Sequence, residues 1–266
     1  REALDDLNAS LERDPSYAPA WFQLGTTLAS QGLHAKAVEA FGTGLGLEPG
    51  QGSIWFREGL SLLALEREEQ AVTAFTHALE ADPGDPESRC YLGYALAAVG
   101  RLEEAVEAFG KVLEADPSRE RAWYHRGRAE MELGRHEEAL ASLDRALKID
   151  AGDARSWHQK GLALAALSRH GEAVEAFGKA LTLSPDDAGS WYYSGLSLLE
   201  EGRTEDALEA LDRSLALDPG DIHAKFNRGI CLSRLGRTGD AVRAFEDVTR
   251  MDPLHHRAWY LRGMAE

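Results

Sequence analysis

The chain has 266 residues and a formal net charge of -16, from 29 Lys and Arg against 45 Asp and Glu. So acidic a composition repels phosphate backbones and offers no basic stripe for counterion release, which excludes general nucleic-acid binding. Val and Ile together number only 12, too few for a buried sheet, while Ala, Leu, Glu and Arg abound, so the composition predicts an all-α chain.

The sequence repeats every 34 residues without an insertion. Residues 1–17 form a half unit, the second helix of a pair, ending at Asp14-Pro15. Full units follow at 18–51, 52–85, 86–119, 120–153, 154–187, 188–221 and 222–255. The first carries Trp21, Leu24, Gly25 and Leu28 on its first helix, Ala37 and Phe41 on its second, and Pro49 at its end. The second unit keeps Trp55, Gly59, Ala71, Phe75 and Pro83. In the third, Arg89 replaces Trp, and Gly93, Ala105, Phe109 and Pro117 follow. The fourth has Trp123, Gly127, Ala139 and Leu143, with Ala151 in place of Pro; the fifth has Trp157, Gly161, Ala173, Phe177 and Pro185. Trp191, Gly195, Ala207, Leu211 and Pro219 mark the sixth. In the seventh, Lys225 stands where Trp is expected, ahead of Gly229, Ala241, Phe245 and Pro253. Residues 256–266 open an eighth first helix with Trp259 and Gly263.

Each ladder has a physical reading. Gly at the eighth position and Ala at the twentieth let the two helices of a pair cross closely, and the aromatic four residues after the Ala fills the space beside the crossing. Gly32, Gly100, Gly134, Gly202 and Gly236 stand where the first helix must stop in a left-handed turn. The Asp-Pro pairs end second helices, because Pro disfavours helical geometry in the residue before it.

Trp21, Leu24, Gly25, Leu28, Ala37, Phe41 and Pro49 together resemble the signature of the tetratricopeptide repeat (TPR) family, and the resemblance covers the whole chain. It implies a right-handed superhelical solenoid of antiparallel helix pairs, one array over 1–266, acting as a non-catalytic protein–protein interaction scaffold. Arg89 and Lys225 depart from the Trp of the signature, and Glu58, Arg126, Lys160, Ser194 and Arg228 from its Leu, which predicts weaker amphipathicity in those first helices.

In that family the second, fifth, sixth, ninth, twelfth and thirteenth residues of each unit face a concave groove. Here the resemblance assigns to it Phe22, Phe56, Arg57, Tyr91, Tyr94, Arg121, Tyr124, His125, Arg128, Arg155, His158, Gln159, Tyr192, Tyr193, Phe226 and Asn227. The same positions hold only Glu87, Glu132 and Glu200 as acids against Arg57, Arg121, Arg128, Arg155 and Arg234, so the groove is spared the acidity of the rest. Aromatic rings beside guanidinium groups make peptide hot spots. The expected partner is an extended, partly acidic peptide or helix, its carboxylates paired by Arg121, Arg128 and Arg155. The carboxylate clamp by which some family members hold chaperone tails is not assembled in any three consecutive units; Asn227 and Arg257 are isolated matches.

Other motifs read as structural. Gly42-Thr43-Gly44-Leu45-Gly46 falls inside a second helix and lacks the strand that precedes a phosphate loop. His34, His136 and His170 recur at one helix start, and His255-His256 lies in a turn. His125 and His158 read as groove polar residues, since nothing completes a metal set around them. Cys90 and Cys231 have neither zinc nor disulfide spacing. No metal, cofactor or catalytic constellation is expected: Glu103, Glu104, Glu107, Glu137, Glu138, Glu172 and Glu175 follow a solvated helix face. The longest uncharged stretch, 15–35, is interrupted by Pro19, Gln23, Gly25 and Gln31, so no membrane segment is expected and a cytoplasmic location is the reading. Two further expectations concern the ends. The half units are complementary, so Leu4 and Leu7 of one copy could stack on Trp259 and Tyr260 of another; and a chain cut from a longer one could be the recruiting arm of an enzyme.

Overall fold

The computed structural model describes residues 2–265, and of Glu2 and Ala3 the backbone alone. Arg1 and Glu266, the outermost residues of the two expected half units, lie outside the described residues. Among the described residues there are sixteen helices and no strand. They fall into two compact units, residues 1–133 and 134–266.

The first unit holds α1 (Glu2–Arg13), α2 (Ala18–Ser30), α3 (His34–Leu47), α4 (Gly52–Leu63), α5 (Glu68–Ala81), α6 (Pro86–Ala98), α7 (Leu102–Ala115) and α8 (Glu120–Glu132). Each helix packs on its neighbour in sequence, and the first helices of successive repeats also touch: α2 on α4, α4 on α6, and α6 on α8. The second unit holds α9 (His136–Ile149), α10 (Ala154–Ala166), α11 (His170–Leu183), α12 (Ala188–Glu200), α13 (Thr204–Leu217), α14 (Ile222–Arg234), α15 (Thr238–Met251) and α16 (His256–Ala265). It is built in the same way, with α10 on α12 and α12 on α14. No helix is long and apolar enough among the described residues to cross a membrane.

Helix ends follow the local chemistry. α1, α5, α7, α13 and α15 all stop one residue short of an Asp-Pro pair. The Asp carboxylate then accepts the backbone N–H two residues on, as Asp14 does from Ser16 at 3.0 Å and Asp218 from Gly220 at 2.9 Å. Asp85, Asp153, Asp187 and Asp221 cap the next first helices with their side chains. Between the helices of a pair, Gly32, Gly100, Gly134, Gly202 and Gly236 take φ of 70 to 77°. Glu66 and Ser168 take φ of 56° and 58° at the same repeat position, at a cost of about 1 kcal/mol each for a residue with a Cβ.

The core repeats with the sequence. A Cβ on Gly25, Gly59, Gly93, Gly161 or Gly229 would come within 2.5 to 2.8 Å of the ring of Phe41, Phe75, Phe109, Phe177 or Phe245 respectively, and all five rings are buried. The run from Gly42 to Gly46 lies inside α3, and Gly44 makes room for the Phe22 ring, which a Cβ would meet at 2.5 Å. The departures from the signature Leu are matched by neighbours. Lys160 reaches Asp144 at 2.6 Å and Arg228 reaches Asp212 at 2.5 Å, each sixteen residues upstream on the preceding second helix. Arg126 donates to the buried Glu130 at 2.8 Å. Glu58, itself buried, has its Oε1 3.8 Å from the point where a Cβ on Gly42 would stand. Lys160 and Arg228 thus serve as contacts between repeats, whereas Arg126 is answered within its own helix.

Candidate functional site

In the first unit Tyr91, Tyr94, Arg121, Tyr124, His125 and Arg128 gather along a valley between α6 and α8, while Phe22 on α2 and Arg57 on α4 lie outside it. Phe56 on α4 meets Tyr91 edge to face at 5.5 Å, Tyr91 meets Tyr94 at 5.4 Å, and Tyr94 meets His125 at 4.4 Å, with Tyr124 at 5.0 Å from His125. Two depressions share Tyr94. One, of about 300 Å³, is lined by Cys90, Tyr91 and Tyr94 with two acids, Glu87 and Glu120, and two arginines, Arg119 and Arg121; the other, of about 250 Å³, by Tyr94, Ala97, Ala98, His125, Arg128 and Glu132. Tyr94 stands between them, and His125 lines the second.

The helical repeat decides which faces of these rings are free. A sixth-position ring lies flat on the Phe sixteen residues upstream: Tyr91 on Phe75 at 28°, His125 on Phe109 at 25° and, in the second unit, Tyr193 on Phe177 at 19°. Among the fifth-position rings, Phe56 meets Phe75 at 5.8 Å and Phe226 meets Phe245 at 5.9 Å, each on its own second helix, and Phe22, Tyr124 and Phe226 are buried. Those three support the surface from beneath and offer a partner little area of their own.

Charge in the valley is unevenly engaged. Glu87 pairs with Arg119 at 2.6 Å, and Arg128 stands 3.7 Å from Glu132. Among the described residues Arg121 and Arg57 are exposed and form no ion pair. Arg119 lies outside the six groove positions of the family, and only the acid at Glu87, on the rim of the same depression, marks it in the sequence. Cys90 donates its thiol to Tyr94 Oη at 3.2 Å. Burial pushes both groups above their ordinary pKa, and the Tyr94 phenol is raised further by the Cys90 thiol. The pair is a neutral hydrogen bond in the valley wall, and the raised thiol is a poor nucleophile.

In the second unit, Tyr192 and Tyr193 meet at 5.1 Å, and Tyr193 is 38% exposed. Asn227 donates to the His223 carbonyl at 2.9 Å and to Tyr192 Oη at 3.4 Å. Gln159 is half-buried on α10. Phe226 packs against His255 at 4.7 Å, with the Arg257 guanidinium 5.6 Å from its ring centre. Arg155 is exposed and donates to its own helix cap, Asp153, at 3.0 Å, so that carboxylate already draws on one of the three arginines expected to serve a partner.

His158 Nδ1 lies 2.7 Å from Ser190 Oγ, which donates to Asp187 at 2.5 Å. The residue types are those of a hydrolase triad, but the geometry is that of a helix cap. Ser190 is fully buried, and its proton goes to the carboxylate that caps α12, as Ser88 does to Asp85 and Ser156 to Asp153. Burial holds the His158 pKa below its ordinary value against the opposing pull of Asp187. Among the described residues no group of three His, Cys, Asp or Glu side chains could hold a metal, and both cysteines are free and buried.

A tetratricopeptide repeat family model matches residues 1–51, 37–86, 56–120, 90–154 and 158–222, and a second tetratricopeptide repeat model matches 198–265. No curated protein matches. Among solved structures, YrrB, described as a TPR protein with an unusual peptide-binding site, is 24% identical with a TM-score of 0.64, over 72% of this chain and 99% of that one. MamA is 25% identical with a TM-score of 0.59, over 62% and 97%. The C-terminal part of a TPR repeat-containing protein from Cytophaga hutchinsonii is 16% identical with a TM-score of 0.73, over 89% and 97%.

Proposed function

The chain belongs to the tetratricopeptide repeat family, and from that premise we propose that it is a non-catalytic scaffold whose α6–α8 valley holds an extended, partly acidic peptide of a partner protein. The observation that carries this reading is the pair of adjoining depressions that share Tyr94, flanked by Arg121 and Arg128. Tyr91, Tyr94 and His125 supply rigid apolar area, and Arg121 supplies a guanidinium with no internal carboxylate to leave. The peptide-binding site described for YrrB agrees with this use of the fold. Peptides selected from a random library on the wild-type protein should bind the R121E/R128E double variant at least about tenfold more weakly, since two attractive contacts become repulsive. Undiminished binding would sink the assignment.

A further inference from the structure

Trp at the fourth position of a repeat does the same thing wherever it occurs. Its indole N–H donates to the backbone carbonyl six residues earlier: Trp21 to Pro15 and Trp123 to Pro117 at 2.9 Å, Trp55 to Pro49 at 2.8 Å, Trp157 to Ala151 and Trp191 to Pro185 at 2.9 Å, and Trp259 to Pro253 at 3.1 Å. In the third repeat Arg89 takes over, donating from Nη2 to the Pro83 carbonyl. Lys225 does not. Its Nζ lies 3.3 Å from Met251 Sδ, and among the described residues no side chain donates to the Pro219 carbonyl.

A cavity of about 320 Å³ opens beside Lys225, between α13, α14 and α15, lined by Leu215, Ala216, Pro219, Arg228, Ala244 and Asp247. Beside Trp21 the equivalents of Asp212, Arg228, Ala244 and Asp247, namely Asn8, Leu24, Ala40 and Thr43, line a depression together with the indole. Three residues after the Trp stands a cation over its ring: Arg126 at 5.7 Å from Trp123, Lys160 at 5.2 Å from Trp157 and Arg262 at 5.6 Å from Trp259. Arg228 holds that position after Lys225. Twenty-two residues after Trp55 comes His77, its ring tilted by 37° against the indole at 4.6 Å, and Asp247 is the equivalent of His77. Arg228 is paired with Asp212, but Lys160 keeps the equivalent pair with Asp144 while it lies over Trp157, so the ion pair and the ring contact coexist.

We propose that this cavity is a receptor for an indole, the side chain of a tryptophan on a partner protein. The Pro219 carbonyl accepts its N–H, Arg228 lies over its face, and Leu215, Ala216 and Ala244 form the apolar floor. The rim favours a peptide over a free indole compound. Lys225, Asp212 and Asp247 border the cavity, and the amides and side chains flanking a tryptophan can answer them. The proposal is independent of the α6–α8 valley, since every residue it uses lies in the second unit.

The test is titration of the wild-type protein, followed by heteronuclear NMR, with a Gly-Gly-Trp-Gly-Gly peptide carrying blocked ends, its Phe counterpart, and free indole. The Trp peptide should bind with a dissociation constant in the millimolar range or below, as about ten buried heavy atoms allow, and roughly tenfold more tightly than either of the others. K225W, which supplies the missing indole from within, should lose that binding. K225A, which removes the Lys without filling the cavity, should keep it within about threefold. Absence of binding at about 10 mM peptide, binding that survives K225W, loss in K225A, or free indole equalling the peptide would each overturn the proposal.

Discussion

Gly93→Ala is expected to lower the stability of the protein by about 1–3 kcal/mol, the cost of forcing one methyl into a filled core. The new Cβ would stand 2.8 Å from Phe109 Cε1 and Cζ and 3.1 Å from Cδ1. Phe109 has no room to yield, being fully buried with the rings of Tyr94 and His125 at 5.3 Å and 6.0 Å. Two controls separate overpacking from the ordinary effect of Gly in a helix. Gly110→Ala on α7 meets nothing within 4 Å and should stabilise by up to about 1 kcal/mol. Gly195→Ala faces Leu211 at 2.9 Å, a side chain with more rotamers than a ring, and should cost less than Gly93→Ala. Urea midpoints read by circular dichroism measure all three; a Gly93→Ala protein as stable as wild type would refute the close crossing.

Glu58→Gln should stabilise the protein at pH 8 by about 2 kcal/mol while changing it little at pH 4.5. Burial raises the Glu58 pKa from 4.5 to about 7, with the partial counter-pull of His77 on α5. A raised carboxyl pKa means that the folded chain holds a proton the unfolded chain has released. The favourable contribution of this group is therefore complete below about pH 4.5, falls as pH rises, and is gone above about pH 7. One pH unit of that interval is worth about 1.4 kcal/mol, and relaxation around the charge keeps the observed loss below the full product. Gln has no proton to lose, so the urea midpoint of the variant should be flat where that of wild type falls. Parallel curves would show that Glu58 ionises in the fold as readily as outside it.

Much of this fold is legible in the sequence because the period of 34 marks helix, turn and crossing together. Glu66 and Ser168 show how far the period overrides local preference: no glycine announces the turn, yet both adopt its left-handed backbone, held by the helices on either side. The apparent weakness at Lys160 and Arg228 misleads because the acids that answer them, Asp144 and Asp212, stand sixteen residues earlier in another repeat. The candidate site is legible only in part. Position within a repeat tells which helix face a residue occupies; burial depends on the neighbour's volume. Phe22 sinks into the core because Gly44 opposite it has no side chain. Arg119 lies at the last residue of its repeat, where no groove rule looks. Lys225 registers in the sequence only as a departure from the signature, and its consequence, an unanswered carbonyl beside a cavity, needs the three helices α13, α14 and α15 around it.

The claim that the valley between α6 and α8 carries the binding function is tested most directly by hydroxyl-radical footprinting of the protein with and without a library-selected peptide at saturation. Tyr91, Tyr94 and His125 should become protected while Trp21, Trp55 and Trp191, half-buried beyond the valley, oxidise at unchanged rates. Unchanged oxidation of Tyr91 and Tyr94 in the saturated complex, with protection elsewhere, would contradict it.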